Sequence, residues 1–153
     1  MIKLLVINGP NMNMLGTREP AIYGNLTLHR LEELILNFAK ELDIKVDFFQ
    51  SNHEGDIIDK IHRTYDAYNA FIINPGAFTH YSYAIRDAIA SINTPVLEVH
   101  LSNIHAREDF RKTSVIAPVC LGQISGLGEF SYIAAIVAIK KYLEKPDKKA
   151  TNP

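Results

Sequence analysis

Ile2-Lys3-Leu4-Leu5-Val6-Ile7-Asn8-Gly9-Pro10 is an apolar run of strand length that stops at a cluster of breaking residues. Beyond it the apolar period changes. Leu28, Leu31, Leu34, Ile35, Phe38 and Leu42 recur at helical spacing behind Thr27, a residue suited to cap a helix N-terminus. Ile44 to Phe49 reads as a second strand, and Ile57, Ile58, Ile61 and Tyr65 mark a helix after the polar stretch Ser51 to Asp56. Ala70 to Ile73 is a third strand, stopped by Asn74-Pro75-Gly76; Ala84, Ile85, Ala88, Ile89 and Ile92 then form a helix. Val96 to Val99 gives a fourth strand, Pro118-Val119-Cys120-Leu121 a fifth, and Glu129 to Leu143 a last helix. Strands that alternate with helices in this way pair in parallel, because each crossover helix returns the chain to the same edge. Right-handed crossovers then lead to an α/β, flavodoxin-like, doubly wound five-stranded parallel sheet of order 2-1-3-4-5. One domain is expected over residues 1–144, with a solvated tail over 145–153.

At 153 residues the chain can bury about 70% of its unfolded surface and form a core without staples. A formal charge of -1 argues against nucleic acid or a membrane surface as partner, since both need a basic excess. The single cysteine, Cys120, excludes an internal disulfide and a multi-cysteine zinc site; in its apolar stretch it reads as a small core residue. No apolar run reaches the roughly 20 residues of a membrane span, and Ile2 to Ile7 is too short for a signal peptide. The expected location is the cytoplasm.

Ligands of such sheets bind beyond the carboxyl ends of the strands. Three chemically rich segments fall there: Asn8-Gly9-Pro10-Asn11, Asn74 through His80, and Glu98-Val99-His100-Leu101-Ser102-Asn103. Glu98 and His100, two apart on a strand, project to one face. A carboxylate beside an imidazole can orient it and favour its charged form, which suits a general acid. In an arbitrary strand the same pair is a half-buried ion pair, and a metal reading would add His105 or His80. No HxH or HExxH spacing supports the metal.

The connection from Asn8 to Thr27 is far longer than the two to six residues usual between strand and helix. Gly16 through Gly24 has glycine at each end and Pro20 inside, the composition of a hinged flap, with Arg18 and Tyr23 as its chemically interesting members. A loop tyrosine is ordinarily a packing residue. A guanidinium about 4 Å from a phenolate, however, contributes up to roughly 4 kcal/mol at an effective dielectric of about 20. No phosphate loop, nucleophile elbow or complete dinucleotide fingerprint is present, and no lysine lies in the strand-end segments or flap, so a Schiff base is not expected.

Asn8-Gly9-Pro10-Asn11-Met12-Asn13, Arg18-Glu19-Pro20 through Tyr23-Gly24, Gln50 through Gly55, Asn74-Pro75-Gly76-Ala77 and Glu98 through Asn103 together resemble type II 3-dehydroquinate dehydratase. The likeness runs in order to about Leu143. It implies a hydro-lyase of the shikimate pathway that converts 3-dehydroquinate to 3-dehydroshikimate with no cofactor, no metal and no covalent imine. By resemblance, Tyr23 is the base at C2 and Arg18 holds its phenolate form. Asn11 holds a water on the enolate, and His100, oriented by Glu98, protonates the departing C1 hydroxyl. Asn74, His80 and Arg111 would bind substrate hydroxyls, and Leu101 and Ser102 its carboxylate. Asp87 would reach a neighbouring subunit in a dodecamer, a tetramer of trimers.

The rival class is a flavodoxin-type module that carries FMN or receives a phosphoryl group. The first needs a hydroxyl-rich loop after the first strand, where this chain has Gly9-Pro10-Asn11-Met12-Asn13; the second needs acidic residues there and a lysine after the fifth strand. A metal-dependent hydrolase stands third.

Overall fold

A computed structural model of the chain describes residues 1–17 and 19–146. Five strands, β1 (Ile2–Asn8), β2 (Ile44–Gln50), β3 (Ala70–Asn74), β4 (Val96–His100) and β5 (Gly122–Ser125), form one sheet of order β2-β1-β3-β4-β5. Every neighbouring pair is parallel. The helices are a single turn α1 (Pro20–Tyr23), then α2 (Leu28–Glu41), α3 (Glu54–Thr64), α4 (Tyr83–Ala90) and α5 (Phe130–Leu143). The doubly wound sheet expected from the strand–helix alternation is therefore the architecture found.

Strand periodicity divides the core in two. Leu4 and Val6 of β1 face Leu31, Ile35 and Ala39 of α2 and Tyr132, Ala135 and Ile136 of α5. Leu5 and Ile7 face the opposite way, onto Ile57 and Ile61 of α3 and Ile85, Ala88 and Ile89 of α4. Thr27 caps α2 by accepting from the Arg30 N–H at 3.2 Å, as its position in the sequence implied. Ser82 caps α4 in the same manner, through the Ile85 N–H.

Two boundaries correct the sequence reading. Helix α3 begins at Glu54, so the second half of the polar stretch 51–56 is its first turn. Glu54 and Asp56 there, and His62 and Arg63 in the last turn, complement the helix dipole. The fifth strand is not Pro118–Leu121. Ala117–Val119 form a 3-10 turn with Pro118 at its start, and Cys120 closes that turn by donating its N–H to the Ala117 carbonyl. Pro118 has no N–H to give a ladder, so pairing with β4 starts only where the Leu121 N–H meets the Val96 carbonyl. The strand lies four residues later than expected. Cys120 is accordingly a half-buried turn residue rather than a strand residue; burial first, and the nearby Glu98 charge second, push its thiol up to about 12.

The carboxyl edge of the sheet is tightly closed. Asn8 is level with both Gln50 and Asn74, Glu98 with Ile73 and Gln123, and His100 with Ser125. Gly9 donates its N–H to the Asn74 carbonyl at 2.8 Å, and a Cβ on Gly9 would fall 2.6 Å from the Pro75 carbonyl oxygen. Only glycine lets the two strand ends approach this closely. Among the described residues, no helix is long and apolar enough to cross a membrane. The tail expected over 145–153 lies outside the described residues from 147 onward, as does Arg18.

Candidate active site

Beyond the ends of β1, β3 and β4 lies a small cleft. Its walls include Tyr23, Asn74, His80, His100, Leu101, Ser102 and Arg111, all named from the sequence. Met12, Ile104 and Arg107 also line it. Glu98 stands behind His100, wholly buried, with its Oε2 2.9 Å from His100 Nε2. Asn11 is exposed at the rim and Asp87 is exposed on α4; neither lines the cleft. Arg18 falls outside the described residues.

Each wall residue is held by identifiable chemistry. Asn74 is 3% exposed, and its Oδ1 accepts from the Gly76 N–H at 3.1 Å, an arrangement helped by the left-handed φ of 58° at Gly76. Its Nδ2 donates to the Tyr132 hydroxyl at 2.9 Å, and that hydroxyl donates to Asn8 Oδ1 at 2.6 Å. Tyr132 is wholly buried on α5, and burial pushes its phenol well above the usual range, so it serves as a neutral strut between β1 and β3. His80 Nδ1 lies 2.8 Å from the Thr113 carbonyl, which fixes Nδ1 as the protonated nitrogen and leaves Nε2 able to accept from a hydroxyl. Burial holds His80 below its ordinary 6.5, with a smaller downward push from His100 and Arg111.

The Gln50 through Gly55 segment braces the rim. Gln50 Nε2 donates to the Gly9 carbonyl and to Asn52 Oδ1, and Asn52 Oδ1 in turn accepts from the Asn11 N–H at 2.9 Å. That fixes Asn11 in its left-handed turn, φ 68°. Glu54 accepts from the Ser82 hydroxyl at 2.5 Å, which ties the same segment to α4.

Arg107 is a cleft residue that the sequence did not mark. It comes directly after the 3-10 turn Ile104–Ala106, and its side chain is 9% exposed. Nη1 donates to the Tyr23 hydroxyl at 2.9 Å, Nη2 donates to Glu19 Oε2 at 3.3 Å, and the guanidinium lies 5.7 Å from the Tyr23 ring centroid. One cation therefore clamps both ends of α1 over the cleft. Irregular chain carries no periodicity, and no motif at 104–107 pointed to this residue. Arg111 donates through Nε to Glu108 at 2.7 Å, which holds that exposed carboxyl below its usual range, and stacks on Phe110.

The cleft thus sets a phenol clamped by a cation and an imidazole backed by a buried carboxylate around one volume, with amide, imidazole and guanidinium groups between them. Among the described residues, no three His, Cys, Asp or Glu side chains are grouped as ligands of a metal ion would be.

Comparison with known proteins gives this arrangement its context. Residues 2–140 match the family model described as dehydroquinase class II. A 3-dehydroquinate dehydratase of Caldicellulosiruptor bescii is 61% identical over 94% of this chain and 100% of its own. One from Anoxybacillus flavithermus is 57% identical over 97% of this chain and 100% of its own. The crystal structure of a type II dehydroquinase from Butyrivibrio crossotus superposes with a TM-score of 0.89 at 52% identity, covering 91% of this chain and 97% of that one. With a family model spanning nearly its whole length and relatives matched end to end, the chain belongs to the class II dehydroquinase family, the type II 3-dehydroquinate dehydratases.

Proposed function

We propose that this chain dehydrates 3-dehydroquinate to 3-dehydroshikimate in the shikimate pathway by metal-free, non-covalent acid/base chemistry. Tyr23, as its phenolate, takes a proton from C2, and the electron pair of that C–H bond moves toward the adjacent ketone to give an enolate. The enolate then collapses: C1=C2 forms, the C1–O bond breaks, and His100 gives the departing hydroxyl its proton, so that water leaves. Arg18 and Arg107 supply positive charge beside the base, and a water held by Asn11 donates to the enolate oxygen. Asn74, His80 and Arg111 bind substrate hydroxyls; the backbone amides of Leu101 and Ser102 receive the carboxylate. Glu98 keeps the His100 ring aligned.

One observation carries the reading. Tyr23 with its arginine, and His100 with its carboxylate, line the same cleft at the sheet edge where ligands of this architecture bind. A small polyol acid needs several hydrogen-bonding partners there, because buried polar groups left unpaired are costly, and the Asn, His and Arg set supplies them. By likeness to the family, the single domain assembles into a trimer-based dodecamer, in which Asp87 reaches a neighbour's cleft. The compartment is the cytoplasm.

The test is direct. Added 3-dehydroquinate should give the ultraviolet absorbance of a conjugated enone, at the same rate with and without a chelator, and borohydride with substrate should leave activity intact. A chelator-sensitive rate, or a borohydride-trapped lysine with loss of turnover, would contradict the metal-free, non-covalent mechanism.

A further inference from the structure

Glu98 is wholly buried, yet it faces more polar groups than the single imidazole that the proposed reaction requires. Its Oε1 accepts from the Ser114 hydroxyl at 2.8 Å. Its Oε2 accepts from the Gln123 amide and lies 2.9 Å from His100 Nε2. Gln123 reaches it because the two residues are lateral neighbours in the parallel β4–β5 pair, with side chains on one face. Ser114 reaches it from the chain before the turn Ala117–Val119, where its Oγ also accepts from the Ile116 and Ala117 N–H groups at 3.2 and 2.9 Å. With those two acceptances filled, the proton of the Ser114 hydroxyl is directed at Glu98. The Gln123 NH2 group can only donate. Each carboxylate oxygen thus already receives a proton donor, and the remaining bond is completed when His100 Nε2 carries the third hydrogen.

We infer that Gln123 and Ser114 are positioning residues: they fix Glu98 as an acceptor, which locks His100 as its Nε2–H tautomer and leaves Nδ1 as the nitrogen that exchanges a proton with substrate. The inference rests on the reading of His100 as the acid. It adds that two residues outside the cleft lining determine which ring nitrogen is available. The alternative tautomer would turn a bare Nε2 toward a carboxylate, lone pair against lone pair. Thr79, whose Oγ1 is 3.4 Å from the same Nε2, is a hydroxyl that can accept as readily as donate, and so does not set the tautomer.

The experiment is 15N spectroscopy of the enzyme labelled at histidine, with the ring in its neutral form and the His100 signals assigned by their loss in His100→Ala. In the parent, His100 should show a protonated Nε2 and a bare Nδ1. Gln123→Met, which keeps the volume and removes the donor, should give a mixture of tautomers and lower kcat by about 10–100-fold with little change in KM, the effect usual for groups that orient a functional histidine. Ser114→Ala should do the same, and Ser114→Thr, which restores the hydroxyl, should recover the parental tautomer and rate. A parental enzyme with a bare Nε2 would overturn the inference without any variant. So would Gln123→Met and Ser114→Ala enzymes with parental tautomer and kcat while His100→Ala is dead. A fully active His100→Ala enzyme would instead remove the acid reading beneath it.

Discussion

Arg107 donates to the hydroxyl of Tyr23 at 2.9 Å across 84 residues of sequence, tying the single-turn helix α1 to the chain beyond β4. The same guanidinium holds Glu19 at the other end of α1, so one side chain braces both ends of that turn, including Tyr23, the proposed base. Two charges about 4 Å apart attract by up to roughly 4 kcal/mol at an effective dielectric of about 20, and this is the most a single guanidinium could contribute to a phenolate here.

Arg107→Ala should therefore lower kcat on the order of 10²–10³, part of that limit. Arg107→Lys should recover little, since one ammonium cannot span Tyr23 and Glu19 as the planar fork does. Tyr23→Phe should collapse kcat to a small residual rate while leaving folding intact. Because Tyr23 and Arg107 act as a unit, the double variant should be no worse than Tyr23→Phe alone. Losses that multiply would show that Arg107 serves some other group.

His80 yields a pH prediction. Burial keeps its folded-state value below 6.5, so as pH falls past 6.5 the unfolded chain takes up the proton before the folded protein does. The unfolded state then binds more protons, and the stability that comes from neutral His80 is fully present above 6.5 and lost as pH falls through the folded value. Denaturant midpoints between pH 7.5 and 5.5 should fall more steeply for the parent than for His80→Gln. Parallel curves would mean that His80 does not contribute.

Cys120 should be inert. With the thiol pushed up to about 12 from 9.0, the thiolate fraction near neutral pH is about a thousandfold below that of an ordinary cysteine. An aromatic disulfide reagent should label the native enzyme very slowly and the denatured chain at once. Fast native labelling would place the thiol in solvent, contrary to its packing against the apolar core around Val96 and Ile116.

The fold was legible because β1 and β3 are buried on both faces and so read as almost unbroken apolar runs, with the helical periods of α2 and α3 between them. The edge strand β5 escaped for the same reason. All four of its residues are only half-buried, so Gly122-Gln123-Ile124-Ser125 carries no apolar run, and the neighbouring Pro118–Leu121 took its place in the reading. That shift of four residues also hid Gln123, whose role emerges only from its register beside Glu98. Site residues at strand ends were found because the architecture says where to look. Tyr132 was hidden within a helix of core residues, and Arg107 within a stretch of 3-10 turns, where three-dimensional proximity alone marks a residue.

Asp87 gives the last prediction. It is exposed on α4 and takes no part in lining the cleft of its own subunit. Helix α4 starts at Tyr83, after the 3-10 turn that ends at His80, so Asp87 lies a full turn, about 6 Å, along the α4 axis. If the proposed assembly brings Asp87 to a neighbour's cleft, Asp87→Ala should be strongly impaired although its own cleft is intact. Tyr23→Phe should be impaired for the opposite reason. Unfolded together and refolded as a mixture, the two should regain measurable activity, since some interfaces then join an intact Tyr23 to an intact Asp87 from the next subunit. Each variant must first assemble as the parent does, and mass analysis must show that hybrids have formed. Hybrids as inactive as the separate variants would exclude action in trans and leave Asp87 as an ordinary solvated residue of α4.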